Sequence, residues 1–110
     1  MKVLIVEDER PAAKRLTKLV KQFRPALEVL EVLDSVESAV GWLETYKKPD
    51  LIFMDVQLAD GVSFEIFGQT EVTSPIVFTT AYDEYALQAF KVNSLDYLLK
   101  PIDPEELEKA

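Results

Sequence analysis

Hydrophobic positions along the chain follow two rhythms. Short unbroken apolar runs, Val3 to Val6, Leu51 to Met54 and Ile76 to Phe78, are too brief for helices and are flanked by charged or turn-forming residues. Such runs predict strands buried on both faces of a parallel sheet. Between the first and second runs the rhythm changes to the helical one. Ala12, Leu16, Leu19, Val20 and Phe23 recur at that spacing behind Pro11, which suits a first helical position because its missing N–H has no intrahelical partner to lose. Pro25 ends this helix, and Val29, Glu31 and Leu33 alternate as in a second, more exposed strand. Ser35 is placed to cap a second helix, whose stripe of Val36, Ala39, Val40 and Leu43 keeps its period through Gly41.

The rest of the chain repeats the alternation. Lys47-Lys48-Pro49-Asp50 stops the second helix and feeds the Leu51 run, and Asp60-Gly61 closes the turn that follows it. Phe64, Ile66 and Phe67 predict a short third helix, Asp83 caps a fourth carrying Ala86, Ala89 and Phe90, and that helix ends around Asn93-Ser94. Tyr97-Leu98-Leu99 forms a fifth strand stopped by Lys100-Pro101, and Pro104 with Glu105-Glu106 opens a last helix that the sequence ends before completing. Five βα units with right-handed crossovers predict an α/β fold. The expectation is a flavodoxin-like (βα)5 doubly wound parallel sheet of strand order 2-1-3-4-5, with the last helix truncated and residues 1–110 forming one domain.

Composition narrows the function by exclusion. Twenty acids against 12 bases leave a formal charge of −8, which opposes nonspecific attraction to nucleic acid or anionic lipid. The expectation is therefore that this domain itself binds no nucleic acid and no membrane. Without Cys there is neither a disulfide framework nor a thiolate metal site, and the N-terminal run leads straight into acids with no cleavage site. A cytoplasmic location is expected. The absence of His removes the commonest general base and metal ligand, and 3 scattered glycines are too few for a P-loop or a dinucleotide fingerprint.

In an open parallel sheet, ligands sit in the crevice outside the carboxyl ends of the strands. Those ends here carry Glu7-Asp8, Asp55 and Thr79-Thr80, and the fifth strand delivers Lys100, one of two bases between residues 49 and 108. Each residue has an ordinary explanation when taken singly: loop acids, a cap, a β-former, a solvated ammonium. Their joint arrival at one edge does not. Clustered carboxylates suit a hard divalent cation, Mg²⁺ above all, which takes one or two carboxylates together with water and phosphate oxygens. A cation and an ammonium would neutralise equatorial phosphoryl oxygens and leave Asp55 free to attack as a nucleophile, with no His required.

The set Glu7-Asp8, Asp55, Thr80 and Lys100-Pro101 on five βα units resembles the receiver domain of two-component response regulators, over essentially the whole chain. The runs Phe78 to Leu87 and Leu95 to Pro101 are most similar to the LytR/AlgR (LytTR) subgroup. The resemblance implies phosphorylation of Asp55 by a sensor histidine kinase. It implies Mg²⁺ bound by Asp8 and Asp55, by the backbone carbonyl of Gln57 and, mainly through water, by Glu7. Thr80 and Lys100 would contact the phosphoryl group, and Tyr97 would change rotamer with Thr80, switching the face formed by the fourth helix, fifth strand and last helix.

The resemblance further implies that the domain is no enzyme beyond catalysing its own phosphorylation and dephosphorylation. It implies a possible homodimer on phosphorylation and an output domain, DNA-binding in this subgroup, absent from this chain and belonging to a longer parent. The basic helix with Arg10, Lys14, Arg15, Lys18 and Lys21 is a solvated face or, as in receivers, a kinase-docking one. Two departures stand out: the Asp55 to Gly61 loop is shorter than in the best-known members, and Ala59 stands where many have Pro. Gln57 and Tyr82 occupy positions resembling those that tune self-dephosphorylation. The other readings are a Mg²⁺-dependent aspartyl-nucleophile phosphatase or phosphotransferase and a phosphorylation-independent receiver-like binding module. The first fits poorly because Gln57 stands where haloacid dehalogenase-type enzymes place a second Asp, and the second because the acids, Thr80 and Lys100 are intact.

Overall fold

The computed structural model describes residues 1–46, 48–80 and 94–99, and of Thr80 and residues 94–99 it describes the backbone. Strands β1 (Lys2–Val6), β2 (Glu28–Leu33), β3 (Leu51–Asp55), β6 (Ile76–Thr80) and β7 (Ser94–Leu99) form one sheet in the order β2-β1-β3-β6-β7, with every pairing parallel. This is the expected 2-1-3-4-5 order. The segments expected to form the fourth and last helices, from Asp83 and from Pro104, lie outside the described residues, as do Lys47, Tyr82 and Lys100-Pro101.

Alternation along each inner strand sorts side chains to two cores. Val3, Ile5, Phe53 and Val77 face helix α1 (Arg10–Phe23), where Leu16, Leu19 and Val20 cover them. Leu4, Val6, Ile52, Met54, Ile76 and Phe78 face the opposite side, against Val36 and Ala39 of helix α2 (Val36–Thr45) and Ile66 of the short helix α3 (Ile66–Gln69). A 3₁₀ turn at Ser63–Glu65 leads into α3, and the Phe64 ring meets Phe78 edge-on with centroids 5.3 Å apart. A buried aliphatic or aromatic side chain contributes about 1.5–3 kcal/mol, so these two layers supply the main force that closes the sheet.

Local chemistry departs from the sequence pattern at four places. Helix α1 begins at Arg10 with Glu9 as its cap residue, so Pro11 is its second residue, another position whose N–H has no intrahelical acceptor. Ala13, not Ala12, is the buried alanine of this helix. In β2 the pairing skips a residue: Val3 lies opposite Val29 but Leu4 opposite Glu31. That irregularity reverses the faces, so Val29 packs on the α1 side and Leu33 on the α2 side, whereas uninterrupted alternation would put both on one side. Strand β7 starts at Ser94, earlier than the Tyr97-Leu98-Leu99 run.

The stretch after Asp55 is more ordered than a simple turn. Strands β4 (Gln57–Leu58) and β5 (Gly61–Val62) pair antiparallel as a tight hairpin, closed at its base by the Ser63 amide donating to the Val56 carbonyl at 2.7 Å. Gly61 sits at φ +152°, a region that L side chains rarely adopt. Gly41 lies in the exposed face of α2, and a Cβ there would meet nothing within 4 Å. Replacing Gly61 with Ala should therefore cost roughly 1–3 kcal/mol in urea unfolding, whereas Gly41→Ala should stabilise by about 0.4–1 kcal/mol. Equal effects of the two substitutions would contradict the assigned loop conformation.

Candidate functional site

Three parallel strands deliver the site. Asp55 is the last residue of β3, whose neighbours are β1 and β6, and Glu7 directly follows β1. The Glu7 amide continues the β1–β2 ladder by donating to the Leu33 carbonyl at 2.7 Å, which fixes where the acidic loop leaves the sheet. The Glu7 carboxylate accepts the Glu9 amide at 3.1 Å, at the start of α1, where the helix dipole favours negative charge. Asp55 Oδ1 accepts the Gln57 amide at 3.4 Å, a local turn contact that ties this carboxylate to the hairpin.

Glu7, Asp8, Glu9 and Asp55 each place a carboxylate oxygen such that all four lie within 4.8 Å of one another, and Glu7 and Asp55 are each only 4% exposed. Oxygens on opposite sides of a Mg²⁺ ion, each bonded at about 2.05 Å, are about 4.1 Å apart. The spread therefore matches a hard cation held by some of the acids directly and by others through water. The donor set fits: four oxygen ligands, with neither His nor Cys.

Of the residues expected from the sequence, Glu7, Asp8 and Asp55 come together, with Gln57 adjoining through its amide. The register pairs Asp55 with Thr79, so the Thr80 backbone lies one residue further along the neighbouring strand, opposite Leu99. Tyr97 pairs with Phe78 in the backbone ladder. The fifth-strand Lys, Lys100, follows the described end of β7 and lies outside the described residues.

Two acids were missed. Glu9 belongs to the cluster, a membership that the uninterrupted run Glu7-Asp8-Glu9 would have flagged. Asp60 was legible only as a turn residue, yet its Oδ1 accepts the Val36 amide at 2.7 Å and its Oδ2 the Glu37 amide at 3.1 Å. No local pattern announces a cap donated from another loop.

The chain matches the family described as "Response regulator receiver domain" over residues 3–110. The chain belongs to that family. The receiver is 44% identical over 110 residues to "Sensory transduction protein LytT" of Bacillus anthracis, an alignment covering 97% of this chain and 44% of that one. It is 41% identical over 113 residues to the protein of the same name in Bacillus subtilis, covering 100% of this chain and 46% of that one. The receiver thus spans less than half the length of these relatives, and their name accords with the expected LytR/AlgR subgroup. Among solved structures it is similar to the response regulatory domain of protein mrkE from Klebsiella pneumoniae, with a TM-score of 0.85 and 33% identity, covering 99% of this chain and 90% of that one. No helix among the described residues of the receiver is long and apolar enough to cross a membrane.

Hydrogen bonds from the Val36 and Glu37 amides hold the Asp60 carboxyl below the usual Asp value of 3.8. A carboxyl lowered by folding contributes stability that is complete above its unfolded pKa and lost as pH falls through the folded one. The stability difference between the wild-type receiver and Asp60→Ala should therefore be constant near neutrality and shrink only below about pH 3.8 in urea titrations. A difference that fades already near pH 6 would point to another group.

Like charges about 4 Å apart cost about 1 kcal/mol in water and about 4 kcal/mol near a protein surface. Asp55→Asn should consequently raise metal-free stability, by on the order of 1–2 kcal/mol in the same assay. A fall would mean that the Asp55 charge is already compensated.

Proposed function

We propose that Asp55 is the phosphoacceptor of this receiver, accepting a phosphoryl group from the phosphohistidine of a sensor kinase. The observation carrying the proposal is the placement of Asp55 at the carboxyl end of a central strand, 4% exposed, with oxygens of Glu7, Asp8 and Glu9 within 4.8 Å of its own. A carboxylate oxygen of Asp55 attacks phosphorus in line; a P–O bond forms, the P–N bond breaks, and the imidazole leaves with a proton from solvent. When bound by Asp8, Asp55 and the Gln57 carbonyl, with Glu7 acting through water, Mg²⁺ supplies charge neutralisation for the phosphoryl oxygens.

The chain's own residues do the rest. The amide of Gln57 steadies Asp55, and the Glu9 amide holds Glu7 back. Thr80 and Lys100 are the residues that would contact the phosphoryl oxygens, and Tyr97 the aromatic that moves with Thr80. Such motion would relay the arrival of about −1.5 to −2 of added charge at Asp55 to the neighbouring face as a change of shape. An output domain in the longer parent protein, DNA-binding in this reading, and a second receiver copy would respond there.

Arg10, Lys14 and Lys18 line a groove on α1 with Ala13, Thr17 and the half-exposed Val32 of β2. A cationic rim around an apolar floor suits a kinase surface of opposite charge.

Acetyl phosphate with Mg²⁺ should label Asp55 and no other residue, as read by mass mapping. Labelling should be lost with EDTA and in Asp55→Asn. Reversing Lys14 and Arg15 to Glu should leave acetyl-phosphate labelling intact and slow transfer from the kinase by roughly 10-fold or more. Mg²⁺ at 100 times its dissociation constant should stabilise the chain by about 2.7 kcal/mol. Labelling elsewhere, or labelling indifferent to Mg²⁺, would refute the reading.

A further inference from the structure

Each free amide at the start of α2, from Ser35 to Ser38, has a side-chain acceptor, and two of the four are met from outside the helix. Ser35 and Ser38 already form a reciprocal capping box, with the Ser38 amide donating to Ser35 Oγ at 3.0 Å and the Ser35 amide to Ser38 Oγ at 3.3 Å. Asp60 then takes the two remaining amides of that turn, Val36 at 2.7 Å and Glu37 at 3.1 Å, from the tip of the β4–β5 hairpin. Beside it the Ala59 amide reaches the Asp34 carbonyl at 3.4 Å.

The junction gripped in this way also holds the other side of the acidic site. Leu33 and Asp34 are consecutive; the Leu33 carbonyl accepts the Glu7 amide at 2.7 Å and the Asp34 carbonyl accepts Ala59. The loop bearing Glu7 and Asp8 and the loop following Asp55 are thus both measured from one stretch, Leu33 to Glu37. At its base the acceptor loop is closed by the bond from Ser63 to Val56 and the pairing of Gln57 with Val62, so that base and tip together leave the Val56–Gln57 backbone little freedom.

We propose that Asp60 is a positioning residue: by gripping the Val36 and Glu37 amides it sets the acceptor loop against the β2–α2 junction and so holds Asp55 and the Gln57 backbone in register with Glu7 and Asp8 for a divalent cation. The inference rests on the reading of Asp55 as a Mg²⁺-dependent phosphoacceptor. Asp60 touches neither the cation nor the phosphoryl group. Its effect runs through the backbone, as outer-shell partners of metal ligands act on affinity without binding the metal.

The comparison that separates this role from simple helix capping is between Asp60 and Ser35 variants of the full chain. Both substitutions remove a cap from α2, but only those at Asp60 release the hairpin. Mg²⁺ affinity by calorimetry and the rate of Asp55 labelling by acetyl phosphate should be measured beside urea stability for Asp60→Asn, Asp60→Ala and Ser35→Ala. Asp60→Ala should weaken Mg²⁺ binding by roughly 10-fold and slow labelling in parallel, with Asp60→Asn, which keeps one acceptor oxygen, in between. Ser35→Ala should lose stability while keeping Mg²⁺ affinity within about twofold of wild type.

Undiminished Mg²⁺ affinity in a folded Asp60→Ala, or an equal loss in Ser35→Ala, would overturn the positioning role while leaving the phosphoacceptor reading standing. A wild-type chain that neither binds Mg²⁺ nor labels on Asp55 would overturn both.

Discussion

Four carboxylates within 4.8 Å of one another are the constraint to which the rest of the fold answers. Their mutual repulsion favours any conformation that separates them, so they stay together only because the backbone that carries them is fixed for other reasons. β1 and β3 are adjacent parallel strands in the middle of the sheet, covered on both faces, and their ladder places the Glu7 and Asp55 backbones side by side. Moving the Glu7 and Asp55 backbones apart would mean unzipping this buried pairing. Amide donors from Glu9 and Gln57 temper the charge locally, and a cation would remove most of the remainder.

The same arrangement explains why the functional face can be polar without weakening the domain. Side chains from β1, β3 and β6 divide between an α1-side core and a larger α2- and α3-side core, so cohesion lies along the strands and the chemistry at their ends. The opposite end of the sheet is secured by polar latches of its own. The buried Ser74 hydroxyl donates to the Pro49 carbonyl at 2.7 Å, the Lys2 amide donates to Asp50 Oδ2 at 2.7 Å, and the Asp50 amide donates to the Lys2 carbonyl at 2.8 Å.

Strand order, the two-faced inner strands and the acids Glu7, Asp8 and Asp55 were legible because each follows from a short-range pattern: an apolar run, a period, an acid at the run's end. What escaped depended on partners distant in sequence. The Val29 to Leu33 stretch reads as simple alternation, yet pairing with β1 skips a residue and moves Leu33 to the other face. Asp60 reads as half of an Asp-Gly turn, yet its carboxylate is bound to a helix start 23 and 24 residues earlier. Pro11 was displaced by one position because the first and second residues of a helix are equally free of intrahelical acceptors for their N–H groups, so proline alone cannot distinguish them. Glu9 is a different case: the signal was present in the run of three acids, but a loop acid next to a helix is ordinarily just solvated.

The most direct test is a crystal structure of the chain with Mg²⁺ and beryllium fluoride, a stable stand-in for the phosphoryl group. The account predicts beryllium bonded to an Asp55 carboxylate oxygen, a Mg²⁺ ion at about 2.0–2.1 Å from oxygens of Asp8 and Asp55, and the Thr80 hydroxyl and Lys100 ammonium on the fluorines. An empty crevice, beryllium on a different carboxylate, or a Lys100 side chain out of reach of the fluorines would contradict it.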